Sequence, residues 1–130
     1  MPTNSNNQLT ITPISAFTDN YIWAVTTSTH NKVVLVDPGD AQVCINHIEQ
    51  HQLQLHTILI THRHNDHIGG IAALRQYAKE KNWPITVYGP ALEAVEVSDI
   101  QLDESSTVSL PDFNLECSVI DLPGHTKGHI

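Results

Sequence analysis

Short patterns in which apolar and polar residues alternate occupy most of the first 40 positions of the chain. They predict strands over residues 9–12, where Pro13 ends the pattern, over 21–27 and over 32–37. The third segment is apolar enough to be covered on both faces of a sheet. Because only a few residues separate the three segments, we expect them to be antiparallel neighbours.

Helical and strand patterns alternate in the middle of the chain. Asp40 is suited to cap a helix, whose apolar face comprises Ala41, Cys44, Ile45, Ile48 and Leu53. Further along, the pattern predicts a buried strand over 55–61, a helix from 66 or 67 to 81, and a strand over 85–88 that Gly89-Pro90 closes.

The last third of the chain has weaker signals. Residues 91–97 favour a short helix, an acidic loop follows to residue 105, and 107–122 favour a hairpin around Pro111-Asp112. The order of elements predicts a mixed sheet with helices on one face, in the α/β class (α+β by some schemes).

Composition and charge argue against several classes of function. The 130 residues correspond to one domain, predicted over 8–130 after a disordered start at 1–7. A formal net charge of −8 argues against nucleic-acid partners. No apolar run has the roughly 18 residues that a membrane-spanning helix needs. The polar start has no signal-peptide pattern, so we expect a cytoplasmic protein.

Five of the nine histidines fall in two short clusters. His62 and His64 follow a predicted buried strand, and Asp66 and His67 stand at the start of the next helix. Imidazoles and carboxylates at this spacing suit zinc, iron or manganese, whereas without a cation such a group is costly to bury. The alternative, a solvated polar loop, fits one histidine better than this set. We therefore predict a metal site.

His125 follows a predicted strand end and the turn Pro123-Gly124, so it can reach the same sheet edge. With His62 and His64 it would form a three-histidine site with a fourth position open to water, which is typical of a catalytic metal. A capping role is the alternative for His125 alone. The remaining histidines outside this region (His30, His47, His51 and His56) are predicted to be solvated surface residues, and His129 a structural one.

Two motifs, Thr61-His-Arg-His-Asn-Asp-His67 and Pro123-Gly-His-Thr-Lys-Gly-His129, resemble those of the metallo-β-lactamase superfamily. The segments Phe17-Thr-Asp-Asn-Tyr-Ile-Trp23 and Val36-Asp-Pro-Gly-Asp-Ala41 narrow the resemblance to the bacterial glyoxalase II (hydroxyacylglutathione hydrolase) family. The likeness runs from about Leu9 to Ile130.

The resemblance implies an αββα sandwich with two divalent metal ions, zinc being expected and iron or manganese the alternatives. His62, His64 and His125 would bind the first ion, and Asp66 and His67 the second. The family's bridging aspartate, its last histidine and its glutathione-binding residues are expected beyond Ile130, so no substrate-binding residue is predicted within the chain. The chain is thus expected to be an N-terminal portion, supplying mainly the first sheet and its helices.

The activity implied is hydrolysis of the thioester S-D-lactoylglutathione to D-lactate and glutathione by a metal-bound hydroxide, a step of methylglyoxal degradation. Asp66 would orient that hydroxide. Asp37 is either a partner that accepts a hydrogen bond from a ligating histidine or a turn former before Pro38. A full-length monomer is expected, with neither nucleic-acid nor membrane partners.

Two other functions stay open at this point. One is a different enzyme of the superfamily: a lactonase, a β-lactamase or a persulfide dioxygenase with one iron. The other is an inactive fragment, because half of a sandwich would leave the inner sheet face exposed and its edge strands unpaired.

Overall fold

A six-stranded mixed sheet forms the centre of the fold, with strand order β1-β2-β3-β4-β5-β6. The structure, a computed structural model, describes residues 9–16, 20–61, 70–90, 98–103, 106–113 and 115–118. Its elements are β1 Leu9–Ala16, β2 Asn20–Thr27, β3 Lys32–Val36, α1 Ala41–Gln50, β4 Gln54–Leu59, α2 Ile71–Glu80, β5 Thr86–Pro90, β6 Ile100–Leu102, β7 Thr107–Leu110, a 3-10 turn Pro111–Phe113 and β8 Leu115–Ser118.

The first three strands are antiparallel neighbours, as predicted. The prediction that Pro13 ends the first strand is wrong, because β1 continues to Ala16 and Pro13 lies opposite Trp23. Since β1 is an edge strand, the N–H that proline lacks costs little there. The predicted disordered start at 1–7 lies outside the described residues.

Strands β3 to β6 run parallel to one another. The predicted end of β5 before Gly89 is wrong, because Gly89 and Pro90 pair with Gln101 and Leu102 of β6. Strand β6 itself lies in the segment predicted to be an acidic loop. It has three residues, of which only Leu102 is buried, so it is too short to show periodicity.

Both helices pack on one face of the sheet, and this confirms the predicted layering. The Asp40 carboxylate accepts hydrogen bonds from the Gln42 and Val43 amides at 3.0 and 3.5 Å, so Asp40 caps α1 as predicted. The largest fully buried residues of this layer are Ile22, Leu35, Ile48, Leu55, Ile58, Ile71 and Leu74. Residues 91–97 and the start of the predicted second helix lie outside the described residues.

The hairpin of β7 and β8 covers part of the opposite face. Its Phe113 is fully buried and belongs to a second apolar cluster with Val34 of β3. The rings of His30 and His56 meet Phe113 edge-on, with centroids 4.9 and 5.3 Å away. The prediction that these two histidines are solvated is therefore wrong, because the hairpin packs on them.

The described part of the chain holds two free thiols, of which Cys44 is buried and Cys117 half-buried. Neither of the two helices in the described ranges has the length and apolar character to cross a lipid bilayer.

Candidate metal centre

The turn formed by residues 37–40 stands at the carboxyl end of β3, beside the end of β4. Asp37 has φ 53°, and its amide donates to the Leu59 carbonyl at 2.8 Å. The Gly39 amide then donates back to the Asp37 carbonyl at 2.9 Å, which closes the turn. Asp37 thus forms the turn before Pro38, in agreement with one of its two predicted roles, because Asp tolerates the left-handed region better than most residues.

The Asp37 side chain holds the residue that precedes the histidine-rich segment. Its carboxylate is buried and accepts two hydrogen bonds from Thr61, from the amide at 2.7 Å and from Oγ1 at 2.5 Å. A buried carboxylate that accepts two such bonds fixes its partner firmly. The backbone is thereby pinned immediately before His62.

The same turn holds the other end of the segment. The Gly70 amide donates to the Pro38 carbonyl at 3.0 Å. A Cβ at position 70 would lie 2.6 Å from both the Pro38 carbonyl oxygen and the Ala41 amide nitrogen, which are backbone atoms that cannot turn aside. Residues 61 and 70, on either side of segment 62–69, are therefore both held by one turn, and glycine is required at position 70 for the close approach.

The predicted ligands fall on segments that the structure does not describe. His62, His64, Asp66 and His67 lie in 62–69, and His125 lies in 119–130, so their assignment stays a prediction. Among the described residues, no three His, Cys, Asp or Glu side chains are close enough to hold a metal ion. The described residues contribute the contacts on either side of segment 62–69, through Asp37 and Gly70.

The substrate-binding residues also stay without an assignment. They are expected beyond Ile130, the last residue of the chain, and Ile130 itself lies in 119–130, outside the described residues. The same holds for His129 and its predicted structural role. The structure therefore tests neither the expectation about glutathione binding nor the resemblance over this last segment.

A family model described as the metallo-beta-lactamase superfamily matches residues 17–130. The chain belongs to this superfamily. Curated relatives named hydroxyacylglutathione hydrolase are similar over most of the chain: 47% identity over 124 residues for one from Shewanella baltica, and 43% over 124 residues for one from Nitrosomonas europaea. These matches cover 94% of this chain but only 46% and 44% of the two relatives. The chain corresponds to the N-terminal part of these relatives.

Solved structures support the metallo-β-lactamase fold. ETHE1 from Myxococcus xanthus aligns over 92% of this chain and 51% of its own, with a TM-score of 0.73 and 22% identity. The BLEG-1 B3 metallo-beta-lactamase aligns over 94% of this chain and 65% of its own, with a TM-score of 0.69 and 24% identity. At these identities the likeness concerns the fold alone.

In a metallo-β-lactamase superfamily chain, the loop from Thr61 to Gly70 fits a divalent metal by the chemistry of its donors. Three imidazoles and one carboxylate lie between the two pinned ends. Neutral imidazole and carboxylate are the donors that zinc, iron and manganese accept. Because one turn holds both Thr61 and Gly70, less conformational entropy is lost when the segment between them binds an ion.

The sequence reasoning missed two features of this frame. It identifies neither Thr61 as the partner of Asp37 nor the contact of Gly70 with the 37–40 turn. The sequence signal that bears on both features is a carboxylate next to Pro38 at the end of a buried strand.

Proposed function

We propose that this chain carries the metal-binding part of a thioester hydrolase that converts S-D-lactoylglutathione into D-lactate and glutathione. The observation that carries the proposal is 47% identity over 124 residues to a protein named hydroxyacylglutathione hydrolase. The 37–40 turn supports it, because this turn holds Thr61 and Gly70 on either side of the segment that carries the proposed ligands.

The proposed ligands are His62, His64 and His125 for one divalent ion, and Asp66 and His67 for a second. Zinc is the proposed metal, with iron or manganese as alternatives. Ions held in this way lower the pKa of a water molecule and polarise the carbonyl of the substrate.

The remaining chemistry rests on the chain's own side chains. Asp66 is proposed to accept a hydrogen bond from the attacking water and to orient it towards the thioester carbon. The oxygen of this water forms a bond to the thioester carbon, its protons pass to solvent, and the C–S bond breaks. The thiolate leaves without a strong general acid because thiols are acidic relative to alcohols. Asp37 is proposed to accept a hydrogen bond from a ligating histidine in addition to those from Thr61.

We place the protein in the cytoplasm as a monomer with neither nucleic-acid nor membrane partners. The net charge of −8 does not attract an anionic glutathione thioester. The bound cations and residues beyond Ile130 are therefore proposed to supply the local positive field at the substrate.

The test is hydrolysis of S-D-lactoylglutathione by the protein at its full natural length and loaded with Zn²⁺, compared with a lactone and a glutathione persulfide. We expect the thioester to be cleaved with the highest kcat/KM. His62→Ala should abolish cleavage, whereas the control His30→Ala, in a histidine bound to the hairpin, should retain it. Preference for the lactone, or oxidation of the persulfide, would assign a different activity of the superfamily.

A further inference from the structure

The last turn of α1 carries two histidines, His47 and His51, four residues apart. Residues at this spacing lie one above the other on the same helix face. Their ring centroids are 4.4 Å apart with an interplanar angle of 48°. The pair stands at the end of α1 opposite its cap Asp40, about 15 Å along the helix axis.

We propose that His47 and His51 form a site for a divalent transition-metal ion, which would bind one nitrogen of each imidazole. This proposal is independent of the proposed function, because neither residue belongs to the loop that begins at Thr61.

The separation of the rings supports the proposal. Metal–imidazole nitrogen distances are about 2.0–2.1 Å, so two rings bound to one ion have centroids about 4.5 Å apart at right angles and about 5.2 Å apart at the tetrahedral angle of zinc. The observed 4.4 Å is close to the first value, so the two rings are near enough for one ion to reach both. Because both residues stand in the last turn and at the cap of a regular helix, the site needs little reorganisation.

The surroundings of the two rings provide space for an ion and, among the described residues, no hydrogen-bonding partner that would compete with it. A cavity of about 180 Å³ is lined by Thr12, Thr26, His47, His51 and Leu53. It has room for an ion and some of its water, since each water molecule occupies about 30 Å³. Within the described residues, neither imidazole is hydrogen-bonded to another group.

The donor set indicates the class of ion. The lining residues that belong to the described ranges provide two imidazoles and two hydroxyls but no carboxylate. Calcium and magnesium need oxygen ligands, chiefly carboxylates, whereas imidazole suits zinc, nickel and copper. We therefore assign the site to an ion of the second group, with water completing its coordination.

His30 and His56 do not offer a comparable site. The His30 Nε2 atom is 2.6 Å from the Asp112 carbonyl oxygen, and His56 is paired with the Asp112 carboxylate at 3.3 Å. Their nitrogens are thus engaged in holding the hairpin, so His30 provides a histidine control.

The protein is first saturated with zinc and dialysed. It is then titrated with Zn²⁺ in a calorimeter. We expect one further equivalent to bind. His47→Gln, His51→Gln and the double variant should each lose this equivalent completely, because chelation needs both rings. His30→Gln and the helix control Gln50→Ala should retain it, and far-UV circular dichroism checks that each variant is folded.

A second measurement needs no variant. In the wild-type chain, the imidazole NMR resonances of His47 and His51 should shift together as the further equivalent is added. The proposal fails if no further equivalent binds, if it persists in the double variant, or if other histidines respond while these two do not. Thioester hydrolysis should be unchanged in the double variant, so the outcome is distinguishable from a failure of the proposed function.

Discussion

Replacing Asp37 by alanine should release the start of the loop that carries the predicted metal ligands. The change removes a buried carboxylate that accepts two hydrogen bonds from Thr61. Hydrogen bonds to charged groups contribute about 1.5–3 kcal/mol each. Alanine at φ 53° adds about 1 kcal/mol of backbone strain. We therefore expect a loss of at least about 4 kcal/mol in the free energy of unfolding.

Asp37→Asn is the matched control. Asparagine tolerates the same backbone conformation, its Oδ1 can accept from the Thr61 amide, and its Nδ2 can donate to Thr61 Oγ1. Only the charge is lost, so we expect a cost of about 1 kcal/mol. Thr61→Val, which removes the hydroxyl alone, should cost about 1–2 kcal/mol.

Urea denaturation measures these differences, provided that the m-value is unchanged. A double-mutant cycle with Asp37→Ala and Thr61→Val isolates the side-chain bond, and we expect coupling of about 1 kcal/mol or more. Bound zinc per chain should fall in Asp37→Ala and stay close to the wild-type value in Asp37→Asn. Equal and small effects of the Ala and Asn variants, or additive effects in the cycle, would show that the Asp37 carboxylate does not hold Thr61.

Three further predictions concern the frame and the core. Gly70→Ala should destabilise the protein by about 2 kcal/mol in urea denaturation, because the new Cβ meets backbone atoms; a cost near zero would show that the turn can move. Burial lowers the pKa of His56 below its ordinary 6.5 despite the neighbouring Asp112 carboxylate. The unfolded chain therefore binds more protons, and the free energy of unfolding should fall as the pH drops below about 6.5, a dependence that should flatten in His56→Gln. Burial raises the pKa of the Cys44 thiol to about 12, so a thiol reagent should label half-buried Cys117 first in native protein, and equal rates would contradict the buried position of Cys44.

The sequence predicts those elements that are determined by residues close together in the chain. Asp40 precedes an apolar helical face and does cap α1. The strand pattern at 32–37 matched β3 to within one residue. In contrast, β6 depends on pairing with β5, and Pro13 is accommodated only because β1 lies at the sheet edge. Neither fact is visible in a short window of residues.

The same distinction between local and long-range causes applies to the candidate metal centre. The spacing of His62, His64, Asp66 and His67 predicts metal ligands between β4 and α2, and this stays a prediction because 62–69 lie outside the described residues. The contacts that hold Thr61 and Gly70 were not predictable, because the bond from Thr61 to Asp37 joins residues 24 apart in the chain. The contact between His30 and Asp112 spans 82 residues, and no periodic pattern connects such positions.

The proposed metal site requires His125 to join His62 and His64 around one ion. Zinc retained per chain after dialysis tests it most directly, measured in the wild type and in His62→Ala, His125→Ala and the control His30→Ala. We expect the wild type and His30→Ala to retain zinc and the other two variants each to lose it. Full retention by His125→Ala, or no retention by the wild type, would rule out this three-histidine site.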